Sequence, residues 1–240
     1  MLFFYVRHGE PIYDPDSLTP LGERQAEAIG KRLAVYGMDK VYTSTSVRAM
    51  QTAKPLCDML RIVPERLDFA HEDHAWRDFS AINDAGRRTW AFNIPRFIDA
   101  FTSPEVRALG DGWYDYEGFG ENTFKAGIER VYDASDAFFA SLGYVHERYT
   151  GRYKIANATN ERVAMFAHGG FGIAFLSAML DIPYPTIATH MDMTHSGLTV
   201  IDFREKAGYA LPTILTYSND GHLYKEGLPT GYNSGKAIVY

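Results

Sequence analysis

Apolar positions along this chain fall in short unbroken runs, and most runs are followed by a stretch with helical spacing. LFFYV at 2–6 is apolar at every position, the pattern of a strand covered on both faces. It stops at Arg7, His8 and Gly9. DSLTPLGERQAEAIGKRLAVYG then predicts a loop and a helix, with Thr19 as N-cap, Pro20 in the first turn, Leu21, Ile29, Leu33 and Tyr36 on one face, and Gly37 at the end. KVYTSTS predicts a second strand and SVRAMQTAKPLCDML a second helix, one that carries Pro55. A β-α-β-α order predicts a three-layer αβα fold around a mostly parallel, doubly wound sheet.

Residues 71–120 break this rhythm with HEDHAWRDFSAINDAGRRTWAFNIPRF and ALGDGWYDYEGFGE. Too aromatic for a disordered linker, they are expected to form an insertion of short helices packed over the sheet as a lid and lining part of a pocket, within a single domain spanning 1–240. From Glu121 a long helix is predicted, with Phe124, Ile128, Val131, Tyr132, Phe138, Phe139 and Leu142 on its apolar face. RVAMFAHGGFGIAFLSAML repeats the opening pattern: an apolar strand ends at His168, and glycines lead into a helix. SGLTVIDFREKAGYALPTILTYS predicts an antiparallel edge hairpin turning near Lys206 to Gly208. The polar, Gly-rich tail from Asn219 is expected at the surface.

Charge changes the picture in one respect. Lys and Arg number 24 against 30 Asp and Glu, a formal charge of −6. Such a chain repels nucleic acid and anionic membranes, so neither is an expected partner, and an anion site requires a local concentration of cations. One cysteine, Cys57, excludes an internal disulfide and suits a reducing, cytoplasmic setting; no apolar run reaches the roughly 18 residues of a membrane span. Ligands of open α/β sheets sit at the carboxyl ends of strands. His8 and His168 stand at such ends, and Arg7 and Arg48 add guanidiniums whose fork matches phosphate oxygens. Gly9 and Gly169, with no side chains, leave the backbone open to close approach by an anion.

RHGE at 7–10, STSVRAMQTA at 44–53 and FAHGG at 166–170 resemble, in order and over about residues 1–215, the histidine phosphatase superfamily, whose members include cofactor-dependent phosphoglycerate mutases and many small-molecule phosphatases. The resemblance implies that His8 takes the phosphoryl group, that Arg7, Arg48 and His168 hold its oxygens, and that a carboxylate of the insertion protonates the leaving group. Glu72 matches that position, and Asp73 and Asp78 remain alternatives. The expected activity is hydrolysis of a small phosphorylated substrate without metal or other cofactor. Phosphoglycerate mutase-type transfer and an inactive phosphate-binding scaffold are the alternatives. After RHGE the chain runs Pro11-Ile12-Tyr13-Asp14, where many members carry Thr and a Trp-Asn pair, so Ser17 or a backbone N–H is expected to replace that phosphate contact. The oligomeric state stays open, a homodimer included.

Rival motifs carry less. HEDH at 71–74 places His71 and His74 at metal-ligand spacing, but such pairs are commonly surface residues. HGGF at 168–171 resembles an esterase oxyanion loop, yet no G-x-S-x-G exists. GYNSGKA at 231–237 misses the P-loop spacing. His195 is expected to hydrogen-bond within its loop, with the pocket rim as the alternative. Cys57 belongs in the core, and His146, His190 and His222 carry no message. Arg77, Arg87, Arg88 and Arg96 suggest that part of the insertion faces an anionic substrate.

Overall fold

The computed structural model describes residues 1–239. Eight strands form the central sheet: β1 (Leu2–Arg7), β2 (Lys40–Ser44), β3 (Glu65–Leu67), β4 (Tyr144–Glu147), β5 (Arg152–Ile155), β6 (Arg162–Ala167), β7 (Leu198–Lys206) and β8 (Tyr209–Asn219), in the spatial order β3-β2-β6-β1-β7-β8-β5-β4. β3, β2, β6 and β1 run parallel. Beyond β1 every pairing is antiparallel. The hairpin predicted within 196–218 is there, turning through Ala207 and Gly208, both at positive φ, as a two-residue hairpin loop requires. A second hairpin, β4 and β5, extends the antiparallel side beyond expectation; strands this short leave almost no alternation to detect.

Alternation along β1 sets the layers. Phe4 and Val6 point to the face covered by α1 (Pro20–Tyr36) and α2 (Val47–Leu60), meeting Ile29, Leu33, Ala53 and Leu56. Phe3 and Tyr5 point to the other face, where α6 (Phe124–Ser141) and α7 (Gly169–Leu180) supply Phe139 and Phe175. Each strand that feeds two buried faces must be apolar throughout, which is why LFFYV shows no polar position.

Between β3 and α6 lie α3 (Glu72–Phe79), α4 (Pro95–Thr102) and α5 (Pro104–Leu109), with 3-10 turns among them. Phe79, Phe97, Phe101, Trp113 and Phe119 join the same hydrophobic cluster as the α6–α7 face of the sheet. Trp113 stacks on Tyr184 of α8 (Tyr184–His190) with ring centroids 5.4 Å apart. The inserted aromatics therefore anchor the segment by burial, and α3 is held where its first turn meets the start of α7. Thr19 caps α1 by accepting from the Gly22 N–H, and Gly37 follows it at φ 72°. No helix of the described residues is long and apolar enough to cross a membrane.

Candidate active site

β1 and β6 pair in register from Leu2 opposite Arg162 to Arg7 opposite Ala167, so the residues that follow, His8 and His168, emerge side by side. Their ring centroids lie 5.1 Å apart, and the His8 N–H donates to the Ala167 carbonyl at 2.9 Å. β2, on the far side of β6, ends at Ser44. From there Ser46 caps α2 through the Ala49 N–H, which sets Arg48 in the helix's first turn. Three adjacent strand ends thus deliver two imidazoles and two guanidiniums to one point, and all four side chains are buried.

Hydrogen bonds assign the protons. His8 Nδ1 lies 2.7 Å from the Gly9 carbonyl, which can only accept, so Nδ1 carries the hydrogen and Nε2 keeps its lone pair. Burial, with Arg7 and Arg48 adding to it against the Gly9 hydrogen bond, holds the His8 pKa well below the ordinary imidazole range. His8 is therefore neutral near pH 7. Arg48 Nη2 lies 3.2 Å from His168 Nδ1, and a guanidinium only donates, so His168 is protonated on Nε2, which donates to Ser44 Oγ at 2.8 Å. Burial, then His8 and Arg48, depress its pKa as well. His195 accepts from Arg7 Nη2 at 2.9 Å, and burial and Arg7 push its pKa down to about 3. Its ring is 5.7 Å from that of His8, so it braces the cluster rather than capping its own loop.

The guanidiniums are held from their outer sides. Arg7 Nη1 donates to the Met193 carbonyl and, at 3.1 Å, to Asn233 Oδ1. Arg48 Nη1 meets Asp16 Oδ1 at 2.8 Å, and the Tyr13 ring lies 5.4 Å from its guanidinium carbon. Arg7 Nε and Arg48 Nε are buried with no acceptor in the protein. Neither Asp16 nor Asn233 is predicted from sequence. Asp16 sits in a hairpin just past RHGE, where an acid near a cationic cluster is a usable signal, whereas nothing local marks Asn233. The tail expected only at the surface sends Asn233 into the pocket, tethered by Asp192.

Gly9 corrects one expectation. Its N–H donates to Thr52 Oγ1 at 2.9 Å, and a Cβ there would lie 2.6 Å from the Gly22 carbonyl oxygen. The missing side chain serves packing against α1, not an anion. Gly169 does border the pocket, alongside the Arg7 guanidinium. Ser17 turns away to the Pro15 carbonyl, so the replacement contact expected of it is absent; Tyr13 and Asp16 of the same hairpin line the pocket instead.

Glu72 opens α3 and reaches the first turn of α7, accepting from the Gly170 N–H at 3.0 Å and the Phe171 N–H at 2.9 Å. Burial raises its pKa, against the pull of those two N–H groups and of Arg48 and Arg7. A carboxyl beside the cradle with an elevated pKa can both give and take a proton. Asp78 faces the opposite way, bound to Arg77 at 3.0 Å and Arg130 at 2.8 Å, which removes it as a candidate proton donor. Asp73 stands at the pocket rim with a largely exposed carboxylate. His71 accepts from the Asp73 N–H, while His74 meets Asp68 at 3.2 Å, so the HEDH histidines serve separate partners.

Arg7, His8, Arg48, Glu72 and Gly169 line a cavity of about 1070 Å³, walled by Trp76, Trp90 and Phe92 of the insertion; His168 and His195 are not among its lining residues, so His168, expected to hold phosphate oxygens, instead stands behind Arg48. Arg77, Arg88 and Arg96 do not enter it; they line a separate groove of about 650 Å³. Arg87 lines neither. The anionic-substrate role expected of these arginines is therefore not part of this site.

A chain of this architecture has many solved counterparts. A mycobacterial glucosyl-3-phosphoglycerate phosphatase, solved with VO3, superposes with a TM-score of 0.58 at 17% identity, over 91% of this chain and 99% of that one. Phosphoserine phosphatase from Entamoeba histolytica, solved with 3-phosphoglyceric acid, gives 0.57 at 16% identity, over 92% and 98%. In sequence, the PE-PGRS family protein PE_PGRS11 of Mycobacterium tuberculosis is 26% identical over 224 residues, 86% of this chain; the match spans 35% of that relative's length. The model of the histidine phosphatase superfamily, branch 1, matches residues 3–213, from the strand that delivers His8 into β8. The chain belongs to the histidine phosphatase superfamily, branch 1.

Proposed function

We propose that this protein hydrolyses small-molecule phosphomonoesters through a phosphohistidine formed on His8. The observation that carries the reading is a neutral imidazole with its Nε2 lone pair free, lining one cavity together with the Arg7 and Arg48 guanidiniums. Arg7 and Arg48 would hold the equatorial oxygens, whose charge they stabilise most in the transition state. His8 Nε2 attacks phosphorus, the P–O ester bond breaks, and the Glu72 proton passes to the departing oxygen. Water then attacks, the P–N bond breaks, and the Glu72 carboxylate takes the water's proton. Inorganic phosphate leaves, and His8 and Glu72 return to their starting states. Two cations and two easy steps replace one difficult displacement, so the chemistry asks for no metal.

Phosphatase names among the fold relatives and the family match support this reading. The test is chemical quench during turnover: the wild type should carry acid-labile, base-stable phosphate on His8, and His8→Ala should carry none and lose turnover. Appreciable hydrolysis by His8→Ala would overturn the covalent route.

A further inference from the structure

Two half-buried indoles and a phenyl ring line the cavity that holds the candidate phosphate cradle. Trp76 and Trp90 meet edge to face at 4.9 Å, and Trp90 stacks on Phe92 at 5.5 Å with an interplanar angle of 10°. Gly170 fixes where this wall stands. A Cβ on it would lie 2.3 Å from Trp90 Cη2 and 2.9 Å from Glu72 Oε1, so the indole edge and the carboxylate share the notch that the glycine leaves. A group placed beside Glu72 would therefore neighbour Trp90.

The charge of the cavity is equally specific. Among the described residues lining it, Arg7 and Arg48 are the only Lys or Arg, and both belong to the cradle. Asp73, Asp192 and Asp16 line it too, and the imidazoles of His71 and His190 are the only other groups there that could bear positive charge, besides His8. Thr89 and Asn93 add neutral hydrogen-bonding groups beside the aromatic wall. A second anion on the substrate would meet carboxylates and no free guanidinium or ammonium.

Resting on the phosphatase reading, we infer that the leaving group is an uncharged polyhydroxylated ring, the chemistry of a sugar monophosphate, with one ring face on Trp90 and its hydroxyls donating to Asp73 and Asp192. Aromatic faces take the C–H face of such a ring, and carboxylates accept from its hydroxyls. Substrates with an added carboxylate or phosphate are disfavoured.

Binding to the His8→Ala protein, measured by titration calorimetry, tests this without requiring turnover. Glucose 6-phosphate should bind about tenfold tighter than inorganic phosphate, and 3-phosphoglycerate about fivefold or more weaker than glucose 6-phosphate, the scale of one unpaired charge beside an exposed carboxylate. Adding Trp90→Ala should bring glucose 6-phosphate down to the level of inorganic phosphate and leave inorganic phosphate unchanged. Adding Asp73→Arg, at a side chain 84% exposed and so harmless to folding, should raise affinity for 3-phosphoglycerate about fivefold. Equal or tighter binding of 3-phosphoglycerate by the protein with Asp73 intact, or indifference of glucose 6-phosphate to Trp90→Ala, overturns the inference and leaves the phosphatase reading standing. Failure of all three ligands to bind overturns both.

Discussion

Glu72→Gln separates a proton donor from a structural strut. The carboxylate accepts two backbone N–H groups at the start of α7, 3.0 and 2.9 Å away. Glutamine keeps the size and one of these bonds, but its NH2 must face the other N–H. Losing one bond to a charged acceptor costs about 1.5–3 kcal/mol, to be read as a lower melting temperature. The chemical loss is separate. A general acid contributes on the order of 10²- to 10⁴-fold, or about 3–5 kcal/mol of barrier, when the departing alkoxide is poor. The assay is kcat/KM for an alkyl phosphate and for p-nitrophenyl phosphate. That ratio reports steps up to formation of phosphohistidine, so slower hydrolysis of the intermediate, in which Glu72 acts as base for every substrate, does not enter. The alkyl ester should lose about 10²- to 10⁴-fold, and the aryl ester, whose phenolate leaves unaided, less than about tenfold. The variant should also show a burst of nitrophenol as phosphohistidine accumulates. Equal losses in kcat/KM would refute the assignment and make Glu72 a brace for the α7 N-terminus.

Other consequences are open to direct measurement. For alkyl esters, wild-type kcat/KM should fall as pH rises through the elevated Glu72 pKa yet persist well below pH 6.5, because His8 stays neutral there; a variant lacking the alkaline limb identifies Glu72 as its source. Arg48→Lys keeps the charge but loses the fork, and should slow every phosphomonoester alike; selective slowing would make Arg48 a specificity residue. Gly9→Ala should destabilise the fold by about 1–3 kcal/mol, since its methyl would press on the Gly22 carbonyl, and an unchanged melting temperature would contradict the packing. His146 lies between Asp136 at 2.8 Å and Asp181 at 3.1 Å; burial alone would lower its pKa, but these hydrogen bonds raise it to about 9. Its folded pKa exceeds the unfolded value near 6.5, so its contribution is complete below that pH and fades as pH rises through about 9. His146→Gln should therefore flatten the decline in melting temperature between pH 7 and 10, and an unaltered slope would refute the coupling.

Much of the site was legible in the linear chain because its core is built from strand ends. An apolar run that halts at an arginine or histidine marks both where a buried strand stops and which side chain it presents, and this places Arg7, His8 and His168 from the sequence. Arg48 was equally legible, in the first turn of a helix that follows a strand. What sequence could not decide was the direction each insertion residue faces. On α3 successive side chains turn by about 100°, so the resemblance favoured Glu72 but pattern alone left Asp73 and Asp78 open; packing against α6 and α7 sends Glu72 to the Gly170 and Phe171 N–H groups and Asp78 to Arg130. Gly9 looked like an opening for an anion, yet the partner that requires it, Gly22, is brought there by the docking of α1. Asn233 reaches Arg7 across 226 positions of chain, a contact that only the closed tertiary structure creates. Local pattern determined the strand ends and the groups they carry, because backbone pairing and burial act residue by residue; the direction each acid faces, the aromatic wall and the hold of Asn233 on Arg7 came from long-range packing, which has no local signature.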